Sequence, residues 1–285
     1  METSSLARRL ATRFVAGETL DDALRVAGKL NREGITVTLD HLGESVTSLE
    51  EAASARDVYL RTLDAVHSAG IQGNVSLKLT QFGLDMSLQE CLANVDQLAR
   101  RARELGSFVR IDMESSEYTD RTLEVVHELF TRHQSVGVVI QAYLRRSRAD
   151  VEKLNASGIR VRLCKGAYLE PPSAAFPAKR DVDRSYIELT ELLLEKGAYP
   201  AIATHDEAII DHVRRFAAAR KIAPDTFEFQ MLYGIRRDLQ RKLVADGWRL
   251  RLYVPFGRAW YPYYMRRLAE RPANVFFILR NLFRH

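Results

Sequence analysis

Cysteine is nearly absent from this 285-residue chain: Cys91 and Cys164 stand far apart, outside any Cys-x-x-Cys pattern. That excludes a disulfide framework and a cysteine metal site as organising devices and makes a reducing compartment the default. His205 has no second histidine or acidic partner at ligand spacing, so no metal is expected. No apolar run approaches the roughly 20 residues that span a bilayer. The N-terminus lacks the apolar core of a signal peptide, so the protein is expected to be cytoplasmic. Neither G-x-G-x-x-G nor G-x-x-x-x-G-K-[ST] occurs, which argues against a doubly wound nucleotide-binding sheet. There is no RNP-like aromatic motif, zinc-finger spacing or basic arm, so nucleic acid is not an expected partner. The net charge of +5 is spread along the chain, a weak hint of an anionic cofactor or acidic lipid.

What is present is an ordinary globular composition, 46% hydrophobic and 28% charged, able to bury a core. Short β-branched runs alternate with amphipathic stretches. The strand candidates are 35–39, 75–79, 108–111, 137–140, 160–163, 201–203, 226–229 and 249–254. Helical patterns occupy 49–69, 87–105, 120–133, 147–156, 183–196, 206–221 and 235–246. Eight strands alternating with helices predict a parallel sheet closed into a (β/α)8 TIM-type barrel over residues 35–285. Leu6, Leu10 and Phe14 at helical spacing predict an N-terminal helical extension over 1–34. The one long irregular stretch, 170–179, is rich in proline and alanine. It falls after the fifth strand, on the face where barrel enzymes keep their functional loops.

Barrel sites gather at the C-terminal strand ends, and each run here delivers a polar group at or near one end. Examples are Lys78, Asp112, Gln141, Arg162, His205, Gln230 and Tyr253. After the eighth run, residues 263–270 read Tyr-Tyr-Met-Arg-Arg-Leu-Ala-Glu. On a helix, Tyr263, Arg266, Arg267 and Glu270 share one broad face. Two adjacent guanidiniums repel each other but suit a planar carboxylate, which accepts bidentate bonds.

Together these stretches resemble the proline dehydrogenase family. They are Thr38-Leu-Asp-His-Leu-Gly-Glu, Ser76-Leu-Lys-Leu-Thr, Ile111-Asp, Val139-Ile-Gln-Ala-Tyr, Arg162-Leu-Cys-Lys-Gly-Ala-Tyr, Ala203-Thr-His-Asp, Glu228-Phe-Gln-Met-Leu-Tyr-Gly, Tyr253-Val-Pro-Phe-Gly and the 263–270 helix. The resemblance spans almost the whole barrel in family order; residues before about 34 are not diagnostic. The length matches the monofunctional form, with no room for a second dehydrogenase module.

The resemblance implies FAD-dependent oxidation of L-proline to Δ1-pyrroline-5-carboxylate, by hydride transfer from C5 to flavin N5, with electrons passed to a quinone. It implies that Lys78, Arg266 and Arg267 hold the substrate carboxylate, while Leu232, Tyr253 and Tyr263 wall the pyrrolidine ring and Asp112 closes the pocket. Glu270 would support Arg267 or Tyr253. Arg162 and Lys78 are the expected catalytic residues, with Arg162 near flavin N5. Lys165, Gln141 and Gln230 would border the ring, and Gly166 and Ala167 let backbone approach it. Thr204, His205 and loop residue Lys179 would face the ribityl-pyrophosphate portion.

Two rival readings stay open. One is a hydroxyproline dehydrogenase, against which the bulk of Tyr253 argues. The other is a silent barrel that binds an anion. Residues 273–285 interleave Phe276, Phe277, Leu279, Leu282 and Phe283 with Arg280 and Arg284, a composition that favours packing as ordinary core on the barrel and is also suited to peripheral contact with the inner face of a membrane.

Overall fold

The computed structural model describes residues 13–43 and 45–269. Eight parallel strands close into a barrel in sequence order. They are β1 (Thr36–His41), β2 (Gly73–Leu77), β3 (Val109–Ile111), β4 (Val136–Gln141), β5 (Arg160–Cys164), β6 (Ala201–Ala203), β7 (Glu228–Leu232) and β8 (Leu250–Phe256). The ring shuts where β1 meets β8, from Thr36 opposite Arg251 to His41 opposite Phe256. Around it lie α1 (Leu20–Arg32), α2 (Leu49–Ser68), α3 (Leu88–Glu104), α4 (Thr119–His133), α5 (Ser147–Ala156), α6 (Lys179–Lys196), α7 (Glu207–Arg220), α8 (Arg237–Ala245) and α9 (Trp260–Ala269).

Local chemistry fixes the helix starts. Ser48 and Ser87 accept from the backbone N–H of Glu51 and Glu90, and Thr19 and Asp22 form a reciprocal capping box. Asp206 caps α7 by accepting from the Ala208 N–H. Each such cap contributes about 1 kcal/mol. The helices bury Ala, Leu and Val faces on the outward side chains of the strands. Val37, Leu39, Val75, Leu77, Ile111, Val138, Leu163 and Leu252 all belong to that shell.

The inward phase of the same strands is polar. Barrels of this class usually fill their lumen with branched aliphatics. Here Thr38, Asn74, Ser76, Arg110, Arg162, Glu228, Gln230 and Arg251 occupy it and hydrogen-bond across it. Arg251 donates to Glu228 Oε1 (2.7 Å), Asn74 Oδ1 (3.0 Å) and the Val37 carbonyl (2.9 Å). Thr38 donates to Asn74 Oδ1 at 2.7 Å. Arg110, 1% exposed, donates to the carbonyls of Arg160 (2.7 Å) and Val138 (3.2 Å). Gly137 leaves room for it, since a Cβ there would lie 2.8 Å from the Arg110 guanidinium. Phe108 sits at the N-terminal mouth beneath three guanidiniums, those of Arg110, Arg160 and Arg251.

Two expectations need adjustment. Lys179 is the first residue of α6 rather than part of the preceding loop. Phe14 lies in a turn rather than a helix, buried with Val15, Leu42, Trp260 and Tyr263. Residues 1–12, Glu44, Glu270 and the 273–285 tail lie outside the described residues.

Candidate active site

The C-terminal mouth is built by residues two apart on successive strands, because side chains alternate between the wall and the lumen. Arg162 is its centre, with its side chain 7% exposed. Its Nε donates to Gln230 Oε1 at 2.5 Å, and its Nη1 to Asp112 Oδ1 at 2.9 Å and Ser76 Oγ at 3.2 Å. Tyr253 donates its hydroxyl to Asp112 Oδ2 at 2.9 Å and lays its ring 5.3 Å from the Arg162 guanidinium carbon. Burial and the Asp112 charge hold the Tyr253 phenol far above its ordinary pKa, so it stays a donor. Gln230 in turn donates to Glu228 Oε1, which links the mouth to the lumen charges below.

Of the residues read from the sequence, this network brings together Arg162, Asp112, Gln230 and Tyr253. Lys78 follows β2 and opens the turn Leu79–Phe82; its charge acts on Asp40 in β1. Leu232 ends β7, half-buried and outside the core clusters. Gln141 ends β4 and donates to the carbonyls of Met113 (3.1 Å) and Glu114 (3.3 Å). Tyr263 is buried in α9, anchored with Trp260 on Phe14 and Leu42. Arg266 and Arg267 belong to the same helix, with side chains outside the described residues.

A second polar group lies beyond β5. Lys165 donates to Asp183 Oδ1 at 2.6 Å and Asp206 Oδ2 at 3.2 Å, and Lys179 also pairs with Asp183. Both cations expected along a cofactor thus share one carboxylate. Desolvation would raise the Asp183 pKa, but these two ammonium groups hold it below its ordinary value. Thr204 accepts from the Asp206 N–H at 3.1 Å. His205 Nε2 accepts from the Leu232 N–H at 3.0 Å, which ties the end of β6 to the end of β7. Gly166 has φ +115, and a Cβ there would sit 2.3 Å from the Tyr143 ring. Ala167 is exposed. The loop is pinned by the Tyr143 N–H on the Lys165 carbonyl (2.9 Å) and by Glu170, which accepts from the Ser116 N–H at 2.7 Å.

Sequence reasoning passed over Asp183, Asp40, Tyr59 and the partner role of Glu228. Asp183 is four residues beyond Lys179, a helical pairing distance. Asp40 and Glu228 follow from the two-residue strand period. Tyr59 had no local signal, because it comes from the surrounding helix α2 and reaches through the wall.

Among the described residues, the buried side-chain atoms that lack a hydrogen-bond partner include Arg162 Nη2, a donor, and Gln141 Oε1, an acceptor. Each costs about 1–3 kcal/mol if left so. A planar heterocycle with alternating acceptors and an N–H along one edge would satisfy both kinds. These residues therefore fit a flavin ring.

The family model described as proline dehydrogenase matches residues 23–280. The chain is 44% identical over 280 residues to a proline dehydrogenase of Deinococcus radiodurans, covering 96% of this chain and 90% of that one. It is 40% identical over 272 residues to proline dehydrogenase 1 of Bacillus subtilis strain 168, with 95% and 90% covered. Among solved structures, proline utilization A of Bdellovibrio bacteriovorus, inactivated by N-propargylglycine, matches with a TM-score of 0.87 at 29% identity. That match covers 92% of this chain and 32% of the other, so this chain spans about a third of that protein.

Proposed function

Because this chain belongs to the proline dehydrogenase family and is an oxidoreductase of proline, we propose that it oxidises L-proline to Δ1-pyrroline-5-carboxylate with FAD. The observation that carries this reading is the buried, unpartnered Nη2 of Arg162, beside Asp112 and Tyr253 at the catalytic mouth. Bound FAD would supply the acceptor for the hydride lost from C5, and a quinone would take the electrons onward. Arg162, Gln141 and Gln230 would hold the ring, with Lys165, Gly166, Ala167, Lys179, Thr204 and His205 along the rest of the cofactor. Lys78, Arg266 and Arg267 would clamp the carboxylate, which leaves the pyrrolidine ring against Tyr253, Leu232 and Tyr263. Asp112, already bonded to Arg162 and Tyr253, keeps both in one orientation, and Glu270 would steady the arginine pair. Such pre-set geometry lowers the barrier by removing orientational freedom before reaction.

The test is spectroscopic. Denaturing the purified protein, reconstituted with FAD if the flavin has been lost, should release FAD rather than FMN. Anaerobic L-proline should bleach the flavin, and trans-4-hydroxy-L-proline should do so more slowly. A protein that takes up no FAD, or whose flavin proline leaves oxidised, would overturn the reading.

A further inference from the structure

Proline reaches an enzyme as a zwitterion whose secondary ammonium cannot release a hydride from C5, because its nitrogen has no lone pair to form the C=N bond. One proton must leave the nitrogen first. Asp112 is an obvious carboxylate for it, but both its oxygens are engaged: Oδ1 by Arg162 and Ser76, Oδ2 by Tyr253. Asp40 differs. It stands in the inward phase of β1, two residues on from Thr38, and is 2% exposed. Its Oδ2 has no hydrogen-bond partner. Its Oδ1 lies 3.2 Å from the Tyr59 hydroxyl, which also meets the Ser76 carbonyl at 2.8 Å and accepts from the His41 N–H at 3.2 Å. Tyr59 has a single proton, and the nearer acceptor is Ser76. Asp40 Oδ1 thus accepts only a longer, shared bond from Tyr59, the weakest of the influences on its carboxyl.

We propose that Asp40 is the proton acceptor for the substrate amine. This rests on the proposed function. One N–H bond of the proline ammonium breaks and an O–H bond forms on Asp40. The nitrogen lone pair so freed becomes the C=N bond as the C5–H electron pair leaves to the flavin, and the product retains one N–H. Among the described residues, the ionisable groups that act on Asp40 are Lys78 beyond β2, Asp112 beyond β3, Tyr253 on β8, Tyr59 from α2 and His41 next in β1. Burial raises the Asp40 carboxyl above its usual range, Lys78 opposes the rise and Asp112 adds to it. The site therefore holds a carboxyl readier to keep a proton than an ordinary aspartate, next to a cation that still lets it ionise.

The experiment compares wild type with Asp40→Asn as FAD-loaded protein in anaerobic stopped flow, at saturating proline across the pH range. We expect wild type to rise through an acid limb to a plateau. Asp40→Asn should be about 100-fold slower or more at neutral pH. Its log rate should climb by one per pH unit, without a plateau, up to the amine's own solution pKa. Tetrahydro-2-furoate, which has the carboxylate and ring but no amine, should perturb the flavin spectrum of both proteins at similar concentrations. In wild type, adding proline should create a protonated-carboxyl stretch in the infrared that Asp40→Asn lacks, and the wild-type band needs no variant to fold. The inference is overturned by an Asp40→Asn rate within threefold of wild type, or by an equal loss at every pH. It is also overturned if the acid limb moves to lower pH with its plateau kept, which would make Lys78 the acceptor. A missing infrared band, or analogue binding lost together with rate, overturns it as well. Wild-type flavin that proline fails to bleach would instead sink the proposed function, and this inference with it.

Discussion

Glu228 binds with both oxygens deep in the lumen: Oε1 accepts from Arg251 and Gln230, and Oε2 lies 3.3 Å from the Tyr199 hydroxyl. Burial alone would raise its pKa, but Arg251, Gln230 and Arg110 outweigh burial and hold it below the ordinary 4.5. The sign follows from linkage. A carboxyl depressed by folding stabilises the folded state fully above its unfolded value, and that contribution is lost as pH falls through the folded value. Glu228→Gln should therefore lower Tm by on the order of 10 °C at neutral pH, since it leaves Arg251 buried without its counter-charge. The variant should also lose less further stability than wild type between about pH 6 and about pH 3. Calorimetry across that range checks both, and parallel Tm–pH curves for the two proteins would contradict the assignment. The motif Glu228-Phe-Gln230 signalled two polar residues on one strand face. What it could not signal was the third partner, because Arg251 comes from a strand paired through tertiary closure.

The loop between β5 and α6 and the helix α9 are the elements that would complete the proposed site. In the loop, Gly166 combines a left-handed φ of +115 with the Tyr143 ring against its α-carbon. Gly166→Ala meets two penalties: about 1–2 kcal/mol for the backbone and roughly 1–3 kcal/mol for overpacking. Limited proteolysis should then cut residues 165–178 faster than in wild type. Adding Tyr143→Ala should recover only the steric part, and unchanged cleavage in the single variant would refute the account. In α9, Trp260 and Tyr263 dock on Phe14, Val15 and Leu42, so the N-terminal segment props the helix that carries Arg266 and Arg267. Arg266→Met or Arg267→Met should raise KM for proline with FAD still bound, lowering kcat/KM by roughly 30-fold to several thousand-fold. A change below threefold at both would make α9 an ordinary surface helix. The helix over Trp260–Ala269 was legible because helical spacing is local. The prop was not, because Phe14 reads as a helical position and gains its role only where β8 and α9 come back past it. Lys179 reads as loop in the sequence for a similar reason: its helix starts without a side-chain cap at Ala178.

At the scale of the molecule, strand–helix alternation predicts a parallel sheet, and eight units without a glycine-rich phosphate turn favour the closed barrel over a doubly wound open sheet. Strand positions held within a few residues, with the sixth matched at Ala201–Ala203. The polar lumen was half legible. Its members were visible as strand-end polar residues, but their pairing needs the stagger of the closed ring. That closure has a consequence for the making of the protein. Thr36 to His41 find their final neighbour only when Arg251 to Phe256 exist, and Arg251 clasps the Val37 carbonyl from 214 residues away. At roughly 5–20 residues per second, the ribosome needs on the order of 10–40 s to supply that partner. For all of that time one margin of the nascent sheet is bare, with valine and leucine beside it. Among the described segments, the first strand synthesised is the one that waits longest, which makes it the natural site for a chaperone to hold and the first to stick to a neighbour when none is at hand.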